Sequence, residues 1–154
     1  MRRAVVACFL LIAIGCAMRP TGYVAARGSW ATYGYSDGAE GGDDYSILVK
    51  ANAATSDEQV AQLVLLRAAH LTLEKGGNRF EIIHTKNLQA QTDRIAPLLL
   101  PGGLLIPIKV GSDENKLAAL IIHLLRPDAP PVGPEAIDAQ RVVADLSAKL
   151  ALKR

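Results

Sequence analysis

The chain reads as a small single α+β domain, with two helices on one face of a short sheet, in approximately the order β-α-β-β-β-α. Three observations predict it. Residues Ser56 to Lys75 form an amphipathic stretch with a start signal and a stop signal. Runs rich in β-branched and aromatic residues stand on both sides of that stretch. A second apolar stripe at helical spacing, Ile137, Val142, Val143, Leu146 and Leu150, closes the chain.

The first helix carries the most information. Thr55 or Ser56 is placed to cap its free N–H groups, and Glu58 or Gln59, three residues on from each, completes a capping box. Asp57 and Glu58 suit the positive end of the helix dipole. Val60, Ala61, Val64, Leu65, Ala68, Ala69 and Leu71 cover more than half the circumference, and Gln59, Arg67, His70 and Glu74 share a narrower polar arc. So wide an apolar stripe suits a helix laid on a sheet. Gly76 supplies a left-handed stop.

From the N-terminus, Met-Arg-Arg is followed by twelve apolar residues, Ala4 to Gly15, and then Cys16. That is the layout of a secretory signal, and a helix of about 18 Å is too short to span a hydrocarbon core of about 30 Å. Ala17 to Asp44 holds Pro20, several glycines and small polar residues, with no apolar period of either kind. It is expected to be a tether that lifts the domain off a membrane, its tyrosines touching the domain edge. The expected division is therefore residues 1–15 as a cleaved signal, 16–44 as lipidated N-terminus and tether, and 45–152 as the domain.

Within the domain, Tyr45–Ala51 reads as the first strand and Asn78–Lys86 as the second, parallel to the first through a right-handed crossover. Leu88–Ala96 is expected as loop or a short helical turn. A strand over about Leu104–Val110 follows, with Pro107 at an edge or bulge. Lys116–Leu125 is either a returning strand or a short buried helix, which periodicity alone does not separate; a strand is expected. Arg126–Gly133 is a proline-rich connector, and Pro134 opens the final helix, with Asp138–Arg141 and Asp145–Lys149 as helical-spacing ion pairs.

Composition narrows the function. Both cysteines, Cys8 and Cys16, lie in or beside the apolar run, so stability must come from a packed core rather than disulfides. Losing Arg2 and Arg3 with the signal lowers Lys+Arg from 17 to 15 against 15 Asp+Glu, a neutral domain. With only 5% aromatics, it has no footprint for nucleic acid.

The residues IAIGC (Ile12–Cys16) resemble a lipobox, the cleavage site of bacterial lipoproteins; Ala13 departs from the pattern, while Ile14 and Gly15 fit it. The resemblance implies that Cys16 takes a thioether-linked diacylglycerol and becomes the new N-terminus. A wider resemblance follows from Pro20-Thr21, GYSD (Gly34–Asp37), LVLLRAAHLTLEKG (Leu63–Gly76), a strand near Phe80 and IDAQRVVADL (Ile137–Leu146). These are similar to a family of small bacterial lipoproteins. The resemblance implies export and lipid anchoring in the cell envelope, and it brings no activity, substrate or catalytic residue. Ala17, with no Asp at that position, resembles lipoproteins sent to the outer membrane; the domain is expected in the periplasm.

Candidate chemistry is sparse. Asp37, Glu40, Asp43 and Asp44 could be drawn as a calcium loop, but they lack the alternating Asp/Asn positions and closing Glu, so a solvated turn is the better reading. His84 and His123 could meet as a cross-strand pair, half of a zinc site with no thiolate to finish it, and His70 fits a solvated helix face. Ser36 and Asp37 with a histidine could be imagined as a catalytic set, but no Gly-x-Ser-x-Gly elbow is present. The sequence thus points to a non-enzymatic envelope lipoprotein without cofactor, anchored through its N-terminal lipid, with an interaction or assembly role toward an envelope protein. A binding module for a small molecule or cell-wall component comes second; it requires a pocket of roughly 300 Å³ or more. An enzyme, which requires Ser36, Asp37 and a histidine to converge within about 3 Å, comes third.

Overall fold

The computed structural model describes residues 18–26, 33–84, 93–100, 103–112, 115–130 and 136–152. Cys16 and the signal-like segment lie outside them, as do Pro134 and residues 85–92.

The elements are β1 (Gly34–Gly41), β2 (Asp44–Ala51), α1 (Asp57–Glu74), β3 (Arg79–His84), β4 (Asp93–Leu99), β5 (Leu105–Ser112), β6 (Lys116–Leu125), β7 (Ile137–Asp138) and α2 (Ala139–Leu152). All named strands belong to one antiparallel sheet, so the domain is α+β as expected, although the order departs from β-α-β-β-β-α at three additional strands. β1 was expected to be tether, β4 to be partly loop, and β7 to be the first turn of the last helix. β1 shows no apolar alternation because most of its residues are exposed. β4 hides its period because residues on both of its faces are apolar, and β7 is only two residues long.

The sheet runs β1-β2-β6-β3-β7. β2 and β3 both pair antiparallel with β6, which makes them parallel to each other with β6 inserted between them. The expected crossover through α1 is therefore present in split form. β5 takes the same edge of β6 as β3, but only at Leu117 and Lys116, and then leaves with β4 as a hairpin. Pro97 and Pro107 stand opposite each other in that hairpin. Neither can donate to a ladder, so they occupy a pair whose N–H side faces away from the partner strand.

The capping residue of α1 is Ser56: its Oγ accepts from the Gln59 N–H at 3.1 Å, and Gln59 Oε1 accepts from the Ser56 N–H at 3.1 Å. At the other end Gly76 takes φ +81°, and the Gly77 N–H donates to the Thr72 carbonyl at 2.9 Å. Twelve of the eighteen α1 residues are buried, since the helix touches each of β1 to β6 as well as α2. This is more enclosure than one sheet face gives, and it explains why apolar residues cover so much of the circumference. α2 packs chiefly on α1 through Val142 and Leu146 and meets the sheet at β7. Asp138 caps it, accepting from the Arg141 N–H at 2.8 Å rather than pairing with the Arg141 side chain, while Lys149 pairs with Asp145 at 2.7 Å.

Candidate functional site

The segment expected to be a tether is folded onto the domain where it is described. Asn52 Nδ2 donates to the Arg19 carbonyl at 2.7 Å, the Thr21 N–H donates to Thr55 Oγ1 at 2.8 Å, and the Asn52 N–H donates to Thr21 Oγ1 at 3.0 Å. Thr55, fully buried, donates in turn to Asn52 Oδ1 at 2.8 Å. Further on, the Tyr35 N–H donates to the Val24 carbonyl at 2.9 Å and the Ala26 N–H to the Tyr35 carbonyl at 2.8 Å, a short parallel bridge beside β1. Gly34 allows this approach: it holds φ +134°, and a Cβ there would stand 2.7 Å from the Val24 oxygen. Residues 19–26 are thus a strap rather than a leash.

Beneath the strap lies a buried cation. Arg67, its side chain only 8% exposed, donates from Nε to Asp37 Oδ1 at 2.8 Å and from its two terminal nitrogens to both Glu74 oxygens at 2.7 and 2.9 Å. Its guanidinium lies 4.7 Å from the centre of the Tyr35 ring. Tyr23, from the strap, stacks on Tyr35 at 4.7 Å and meets His70 edge-on at 5.2 Å. Burial works against the Arg67 cation, but the hydrogen bonds to Glu74 and Asp37 outweigh it and hold the guanidinium well above its ordinary value. Burial pushes the Tyr23 phenol up to about 12, with nearby Arg67 pulling the other way.

These contacts hold the strap against β1 and α1. The carboxylate of Asp37 is aimed at Arg67. Ser36, the next residue back, faces the opposite side of β1 by strand alternation, so Ser36, Asp37 and His70 do not assemble. Register places His123 opposite Glu81 and His84 opposite Ile121, so the two histidines are not cross-strand partners. His123 instead binds Asp44 through Nδ1 at 2.6 Å. The acidic run forms the end of the β1–β2 hairpin, where Asp43 meets Arg126 at 3.1 Å. Among the described residues no group of three His, Cys, Asp or Glu side chains is placed to hold a metal ion.

Sequence reading placed Arg67, His70 and Glu74 on one arc of the helix but took that arc for a solvated face. The signal to the contrary was that Arg67 and Glu74 lie two turns apart on a helix whose apolar residues already exceed half the circumference. An arc so narrow on an enclosed helix must be covered by something.

A cleft of about 790 Å³ opens between the strap, α1 and α2, lined by Arg19, Thr21, Tyr23, Gln59, Leu63 and Leu150 among others. No helix among the described residues is long and apolar enough to cross a membrane. No protein-family model matches the chain, and neither the curated proteins nor the solved structures yield a match to it.

Proposed function

We propose that this protein is a lipid-anchored, non-enzymatic component of the bacterial cell envelope, attached through Cys16 and acting by interaction or assembly with an envelope protein. The observation that carries the non-enzymatic part is the use made of the chemistry-bearing side chains. Asp37 and Glu74 are both engaged by Arg67, whose guanidinium lies over Tyr35, and Tyr23 of the strap stacks on Tyr35 and meets His70 edge-on. The lipobox-like run and the resemblance to small bacterial lipoproteins support the anchor, and Ala17 supports the outer membrane. A docked strap keeps such a domain close to its membrane. Crosslinking in intact cells is expected to recover one dominant envelope protein; a tagged chain that captures nothing above background contradicts the interaction role.

A second reading, a binding module for a small molecule or cell-wall component, is favoured by the cleft, whose volume falls within the usual range of ligand sites. Ser147 and Ala151 line it from exposed positions of α2. Ala151→Trp should therefore fill it without disturbing the core, and loss of a bound compound seen by native mass spectrometry in the parent protein is the expected sign of that role.

A further inference from the structure

From Ile95 to Ile108 the sequence contains fourteen residues drawn only from Ile, Ala, Pro, Leu and Gly, with no polar side chain. The run makes up most of the β4–β5 hairpin. One face of the hairpin is core: Ala96, Leu98, Ile106 and Ile108 are buried. The other face is equally apolar and uncovered, with Ile95 62%, Leu99 59% and Leu105 58% exposed and Pro97 and Pro107 between them. Leu99 faces Leu105 and Pro97 faces Pro107 across the hairpin, and Ile95, opposite Lys109, extends the same face, so these residues form a contiguous patch rather than scattered exposure.

We propose that this face lies on the bilayer in which the Cys16 lipid is inserted, as a second, non-covalent membrane contact; the inference rests on the lipid-anchor reading above. Its basis is where the strap leads. Cys16 is three residues from Arg19, so their Cα atoms lie within roughly 11 Å of each other whatever path the chain takes. Arg19 is fixed against Asn52, beside the start of α1. Asp57, the first residue of α1, reaches Lys116 at 2.8 Å and Arg94 at 3.8 Å, and Arg94 immediately precedes Ile95. An anchor at Cys16 would therefore leave the domain near the start of α1, whose first residue pairs with the base of the hairpin.

A further feature selects lipid over protein. Pro97 on the outer strand removes a backbone donor from the free edge, which disfavours strand addition by another chain.

The test is flotation of the Cys16→Ala chain with vesicles of phosphatidylethanolamine and phosphatidylglycerol, beside the same chain carrying Leu99→Asp and Leu105→Asp. Both positions point outward, so an unchanged unfolding midpoint confirms that the variant is folded. The expected result is binding by the first chain and a loss on the order of tenfold or more in the second, from removing two large apolar contacts and adding two charges. Equal partition of the two chains overturns the proposal. So does a concentration-dependent dimer abolished by the same substitutions, or a protein crosslinked specifically at Leu99, which would assign the face to a second copy or to a protein partner. A Cys16 found unmodified in the native protein contradicts the anchor separately, and the flotation result then decides the hairpin face without it.

Discussion

Arg67 occupies a position that an enclosed helix would normally give to leucine, and its retention depends on three partners, Asp37 and Tyr35 from β1 and Glu74 two turns along its own helix. Removing the cation leaves Asp37 facing an apolar helix while Glu74, half-exposed, returns to water. Breaking a fully buried pair costs about 3–5 kcal/mol, and the exposure of Glu74 brings the expectation for Arg67→Met down to about 2–3 kcal/mol. Urea unfolding measures it, and Asp37→Asn should cost more than Glu74→Gln because its carboxylate is the more enclosed. Tyr23 gives the same assembly a pH signature. Its phenol loses its proton near 10 in the unfolded chain and near 12 in the folded one. Between those values the unfolded state binds fewer protons, so this contribution to stability is intact below pH 10 and is lost as pH rises toward 12. Allowing for the part of the ring that meets solvent, the loss is on the order of 1 kcal/mol. Tyr23→Phe should flatten that decline in a denaturation series; an equally steep decline in the variant would remove Tyr23 as its cause.

The docking of the strap onto the domain is not legible in the sequence. Its grip depends on Gly34, where φ is +134° and a Cβ would collide with the Val24 oxygen. Gly34→Ala should release residues 22–26 at a cost of about 1–3 kcal/mol. Hydrogen exchange at the Tyr35 and Ala26 amides should then accelerate at least about tenfold while amides of β6 are unaffected. Unchanged protection at both amides would show that the strap is held elsewhere. The capped helix α1, its Gly76 stop, the flanking strands β2, β3 and β5 and the final helix were legible from caps and periodicity, while β6, apolar almost throughout, has no period that separates a strand from a buried helix. β1 and β4 were not, for opposite reasons: GYSDGAEG turns almost nothing into the core, and RIAPLL is apolar on both faces, so neither shows an alternation of period two. The site was half legible, since Arg67, His70, Glu74 and the GYSD residues were all singled out by type and spacing. Their convergence under Tyr23 was not, because it depends on the strap returning to the domain.

At the scale of the whole molecule, the folded strap changes what an N-terminal lipid would do. A flexible chain of nearly thirty residues would let the domain range far from its attachment, whereas a strap fixed at Arg19 leaves only residues 16–18 between lipid and domain. The domain would then ride on the membrane with the base of the β4–β5 hairpin beside the anchor, and its cleft and remaining surfaces would face whatever the envelope presents at that height. All of this follows from acylation of Cys16. The most direct measurement is the intact mass of the protein purified from membranes, beside a Cys16→Ala variant. A chain beginning at Cys16 with added acyl mass, absent from the variant, is the predicted result; a soluble chain whose Cys16 carries no modification would contradict it.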